Sequence, residues 1–116
     1  MRNILSFEYN EAIPHLQVIA DIVSHKIILS TIEVAKTAQQ IAFENKLPIS
    51  STYKKIRMLY QMDMLCIDKV NIDEDGKKVL FYRSKIKSFE FYLKRDGAIL
   101  QFERNDHISQ VRNTHT

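Results

Sequence analysis

The chain is poor in the residues that fix several common chemistries. It has one cysteine, Cys66, so no intramolecular disulfide can form, and this fits a reducing compartment. It has two glycines, Gly76 and Gly97, and neither sits in a Gly-rich phosphate loop; no G-x-S-x-G is present. Asp73-Glu74-Asp75-Gly76 lacks the later ligands of a calcium loop. No run approaches 18 apolar residues, so a membrane span is not expected. The opening MRNILSFEYN contains Glu8 and no small-residue cleavage site, so a signal peptide is not expected either, and the expected location is cytoplasmic.

Metal-binding and catalytic signals are equally thin. His15, His25, His107 and His115 are scattered, and none stands at a metal-ligand spacing from Cys66. Ordinary surface or packed histidines, no cofactor, no metal and no enzyme activity are the expectation. Cys66, opening a strand, reads as a small core residue rather than a redox sensor.

What is present is an unevenly placed charge. The chain is 116 residues long with a net charge of +3 and 45% hydrophobic residues, the size and composition of one small domain. Residues 50–62 contain Lys54, Lys55 and Arg57 and no acid, so this segment alone carries +3 and the remainder sums to zero. The location of the charge is more informative than its sum.

That segment follows a helix and a turn. Thr37 with Gln40 fits a capping box opening a helix, in which Ala38, Ile41 and Ala42 form a narrow apolar stripe. Asn45 is expected to take the left-handed conformation that ends this helix, and Pro48 biases Leu47 to extended geometry. Ser50 is expected to cap the next helix. On a wheel of about 100° per residue, Thr52, Ile56 and Leu59 share one face, and Ser50, Tyr53, Lys54, Arg57 and Gln61 lie opposite. Lys55 falls at the flank, as a phosphate contact or a snorkelling stem. A solvated helix face would also carry such cations. The absence of acids, together with the preceding turn, favours a nucleic-acid groove.

KTAQQIA, LPISSTYKKIRML and CIDKVNIDEDGKKVLFYRS together resemble the winged helix-turn-helix of ArsR-like archaeal and bacterial transcriptional regulators, over residues 21–84. The resemblance implies an α+β fold, with a three-helix core, a β-wing and a recognition helix at 50–62 in the major groove of double-stranded DNA. Carried over by position, Ser51, Tyr53, Lys54 and Arg57 fall at DNA-facing places, and Thr52 and Ile56 at buried ones. The full candidate interface is Thr37, Ser50, Ser51, Tyr53, Lys54, Lys55, Arg57, Gln61, Lys77 and Lys78. Two departures stand out. Asp63 replaces the glycine that usually ends the recognition helix, and the wing tip carries Asp73, Glu74 and Asp75, which phosphates would repel. The acidic tip keeps a second reading open, a winged helix acting as a protein-interaction module of transcription machinery.

Around this unit the expected organisation is an N-terminal extension at 1–20, a C-terminal β-hairpin at 85–103 and a polar tail at 104–116, expected to be disordered or a frayed helix. In the extension, residues 3–9 read as a short strand and 14–20 as a helix opening at Pro14. Asp21 or Ser24 caps a helix running to about Ile32 with Ile28, Leu29 and Ile32 as its stripe, and Val34 is expected to pair with the wing. Each glycine follows an aspartate between β-rich runs, which predicts hairpins at 66–72 with 77–83 and at 89–93 with 98–102, both turn residues taking positive φ. Phe81, Tyr82, Phe89, Phe91, Tyr92 and Phe102 read as core rather than a stacking platform, whereas Tyr53 and Tyr60 sit on the basic helix. The apolar face of the second hairpin and the run Ile4, Leu5, Phe7 exceed the needs of one small core, so a homodimer is expected.

Overall fold

The computed structural model describes residues 4–106. The fold is α+β with antiparallel sheets. The elements are β1 (Ile4–Glu8), α1 (Tyr9–Ile19), α2 (Ile22–Ser30), α3 (Ala38–Glu44), α4 (Ile49–Gln61), β2 (Leu65–Ile72), β3 (Lys78–Ser84), β4 (Ile86–Lys94) and β5 (Gly97–Arg104). One sheet has the order β1-β5-β4, and β2 and β3 form a separate two-stranded ribbon.

The sheet and the helices share one core. Inward residues of central strand β5, Ala98, Leu100 and Phe102, alternate with outward ones and are buried, as one-sided burial of an antiparallel strand requires. Leu100 and Phe102 join Ala12, Ile19, Ile27, Ile41, Ile56, Leu59 and Leu65 in a single cluster, against which Phe7, Leu16 and Phe91 pack. Phe7 stacks on His15 at 4.3 Å between ring centres and meets Phe102 edge-on at 5.5 Å. The second hairpin thus packs on its own chain, with β1 as its third strand.

Asn105 ties the layers together. It is buried, and its Nδ2 donates to Ile32 O at 2.7 Å and to Ser84 O at 2.8 Å, while its N–H donates to Lys85 O at 2.9 Å. The chain leaving α2 also borders the ribbon: Lys36 and Tyr82 exchange backbone hydrogen bonds of 2.9 and 2.7 Å, and Ser84 N donates to Thr31 O.

Several sequence expectations are corrected here. The first helix begins at Tyr9, and Pro14 lies inside it, where its missing N–H removes one intrahelical bond. Helix α2 ends at Ser30 and buries Ser24, Ile27 and Ile28, so Leu29 turns outward and is 57% exposed. Lys36, not the exposed Val34, makes the bridge to β3. Lys46 rather than Asn45 takes the left-handed conformation, φ 55°, and Leu47 N donates to Ala42 O to close the α3 end.

Among the described residues, positive φ outside glycine occurs only at Lys46 and Asp63, so neither aspartate of the two Asp-Gly pairs adopts it. In the first turn only Gly76 does, φ 79°; in the second, Arg95 and Asp96 form the loop and Gly97 pairs with Lys94. Arg104 belongs to β5 and Asn105 is buried, so the ordered chain extends into the expected tail. His107 and His115 lie outside the described residues. Among the described residues no single helix is long and apolar enough to cross a membrane; α1 and α2 meet that test only as a pair bent by 81°.

Candidate nucleic-acid interface

Helix α4 is held from behind by apolar burial and a cap on its neighbour. Thr52, Ile56 and Leu59 are buried, and the Thr52 hydroxyl donates to Pro48 O at 2.9 Å. Pro48 is the N-cap residue and Ile49 opens the helix, so Ser50 is helical and does not cap it as expected; an extended prolyl residue ends in front of a helix without supplying a side-chain acceptor. At the other end Asp63 adopts φ 63°, and Met64 N donates to Leu59 O at 2.9 Å. Aspartate thus provides the left-handed exit that glycine would provide, and Lys85 Nζ pairs with its Oδ1 at 2.5 Å.

The solvent side of α4 carries the candidate contacts. Ser50, Tyr53, Lys54, Arg57 and Gln61 are exposed, and Ser51 is half-buried. Lys54 and Arg57 make no salt bridge among the described residues. Lys55 is different: its Nζ lies 3.6 Å from Asp21 Oδ2. Asp21 caps α2 by accepting from Ser24 N at 3.0 Å. That hydrogen bond, helped by the Lys55 charge, holds the Asp21 carboxyl below its ordinary pKa despite opposing burial. Lys55 therefore clamps α4 to α2 and is the candidate least available to a ligand.

Angular position divides the exposed face. Tyr53, Arg57 and Tyr60 lie within about 60° of one another on a wheel, and Ser50, Gln61 and Lys54 continue round from Arg57 to the outer side. The first group lines a groove of about 260 Å³ with Ile56, Ile67, Leu80 and Tyr82. Burial pushes the Tyr82 phenol above its ordinary pKa, and the nearby Tyr53 and Tyr60 add to this.

A wider groove of about 500 Å³ continues toward the ribbon tip, lined by Thr37, Gln39, Tyr53, Asp73, Lys77 and Lys78 among others. Thr37 sits at its wall with its hydroxyl oxygen committed to the capping box: it accepts from Gln40 N at 3.1 Å, while Thr37 N donates to Gln40 Oε1 at 2.9 Å. Lys77 and Lys78 are exposed at the tip. Asp73 Oδ1 accepts from the N–H groups of Asp75 and Lys77 at 2.9 and 2.8 Å, so this carboxylate organises the turn as well as charging it.

Comparison with family models, with curated proteins and with solved structures returns no match. The site therefore rests on its own chemistry. Of the candidates it brings together Thr37, Tyr53, Arg57, Lys77 and Lys78 along two grooves that share Tyr53, Leu80 and Tyr82, whereas Ser50, Ser51, Lys54 and Gln61 line neither groove and Lys55 is turned to α2. Sequence reasoning missed Leu80 and Tyr82 as groove walls, and noted Tyr60 on the basic helix without placing it in the candidate interface. For Tyr60 a signal existed, its seven-residue spacing from Tyr53, which returns to the same helix face; the ribbon residues depend on how the ribbon leans against α4.

Proposed function

We propose that α2, α3, α4 and the β2–β3 ribbon form a winged helix-turn-helix, with α4 as recognition helix and the ribbon as wing. The protein then acts as a cytoplasmic, non-enzymatic regulator of transcription that binds double-stranded DNA, with residues 21–84 as the binding unit. The observation that carries this reading is the outward side of α4: Lys54 and Arg57 are exposed with no salt-bridging carboxylate among the described residues, on a helix without acids. An arginine so placed suits bidentate contact with guanine or phosphate, and lysine suits a phosphate.

A homodimer belongs to the same proposal. Leu29 and Phe89, which line the cleft between α2 and β4, remain exposed at 57% and 38%, as does Ile22 at the start of α2 at 67%, and a two-fold pairing would set two recognition helices roughly 34 Å apart. Light scattering at micromolar concentration is expected to give twice the chain mass; a clean monomer contradicts that part alone.

The second reading, a protein-interaction module, draws on the exposed Asp73, Glu74 and Asp75 at the ribbon tip, which disfavour a wing pressed on phosphates. Fluorescence anisotropy with genomic duplex fragments across a salt series separates the two. DNA binding predicts an affinity that falls with salt at a log–log slope of about −0.9 per phosphate contact. Absence of binding even at low salt favours the interaction module.

A further inference from the structure

The groove between α4 and the ribbon has chemistry that a paired duplex does not use. In a duplex the faces of the bases are covered by their neighbours and a protein reaches only their edges. Here the lining is aromatic: Tyr53 and Tyr60 stand about half exposed, at 45% and 49%, with the half-buried Tyr82, and Leu80 and Ile67 complete an apolar lining. Arg57 is the charged residue of that lining, and no carboxylate belongs to it. Lys54 lies one helix position from Tyr53, on the outer side. An occupant that fits must be flat and apolar on its faces and must carry negative charge at its edge.

We propose that this groove receives one unpaired nucleobase of a bound nucleic acid, stacked among Tyr53, Tyr60 and Tyr82, while Arg57 and Lys54 hold the phosphates on either side. The inference rests on the nucleic-acid reading above and narrows it to DNA that presents a bulged, flipped or single-stranded base next to a duplex. Tyrosine rings suit this role because every base has a π-face, so the pocket selects an unpaired base without selecting its identity.

The test uses the full chain and two fluorescent probes, a fully paired duplex and the same duplex with one additional, bulged 2-aminopurine. The bulged probe is expected to bind roughly 5- to 150-fold more tightly, the range that stacking of one base on aromatic side chains supplies, with quenching of the 2-aminopurine as the base enters the stack. In Tyr60→Ala the two probes should bind alike, and in Tyr60→Phe, which keeps the ring, the preference should persist. Because Tyr60 is about half exposed, circular dichroism of both variants is expected to match the parent. Equal binding of both probes by the parent overturns the stacking site and leaves duplex binding standing. Binding of neither probe at low salt overturns both readings. A preference that survives Tyr60→Ala with no change in quenching places the unpaired base elsewhere and also overturns the proposal.

Discussion

The two hairpins carry nearly the same local signals and meet opposite fates. Both place an Asp-Gly pair between strands of seven to nine residues. Strand β5 is central, flanked by β1 and β4, and buries Ala98, Leu100 and Phe102. The β2–β3 ribbon is covered only near its base: from Lys69 to Lys78 every residue is exposed, including Val70 at 49% and Ile72 at 62%. A lone two-stranded ribbon is marginal in water. The difference shows that turn chemistry decides where a hairpin folds back, whereas apolar periodicity and a third strand decide whether it becomes core. The first hairpin projects a surface, and the second supports the body that holds it.

The comparison breaks most visibly at its buried end. Leu100 is fully buried in β5, so Leu100→Ala should destabilise the fold by about 2 to 5 kcal/mol, read by urea unfolding. Next comes the joint between the hairpins. Asn105→Ala removes the donors to the buried Ser84 O and the partly buried Ile32 O, at a cost of about 1 to 3 kcal/mol in the same measurement.

A smaller loss is expected where α2 is capped and linked to α4. Asp21→Ala should cost about 1 kcal/mol near neutral pH. The Asp21 pKa is lowered in the folded state, so this contribution is present above the unfolded value of 3.8 and disappears as pH falls through the folded one. The gap in melting temperature between the parent and Asp21→Ala should therefore narrow in acid; a gap that widens there contradicts the assignment. The smallest effect belongs to the projecting ribbon: Ile72→Ala should change stability by no more than about 0.5 kcal/mol. A loss comparable to that of Leu100→Ala would mean that the ribbon is core after all.

Local chemistry made much of this legible in advance. The capping box at Thr37, the buried stripe Thr52, Ile56 and Leu59, the exposed cations and both hairpins follow from signals within a few residues of each other. What failed depended on context from further away. Ser50 resembles a cap, but Pro48 already stands in that position. Pro14 resembles a helix start, but the helix begins five residues earlier, where β1 ends. Asn105 reads as tail, and only its hydrogen bonds to Ile32 and Ser84, 73 and 21 residues away, make it structural. The candidate site was legible as the outward face of α4, but not as a groove, because Leu80 and Tyr82 reach it only through the packing of the ribbon.

The most direct test of α4 as the DNA-contacting element compares Arg57→Ala and Lys54→Ala with the double variant Lys77→Ala, Lys78→Ala in duplex-DNA anisotropy over a salt series. Arg57→Ala should cost about 1 to 3 kcal/mol, relaxing preference at one position if Arg57 reads a base and weakening all sequences alike if it holds a phosphate, and Lys54→Ala should weaken all sequences alike and flatten the salt slope by about 0.9. The tip variant should lose less, because Asp73, Glu74 and Asp75 already offset its cations. Binding abolished by the tip variant and untouched by both α4 variants would contradict the account.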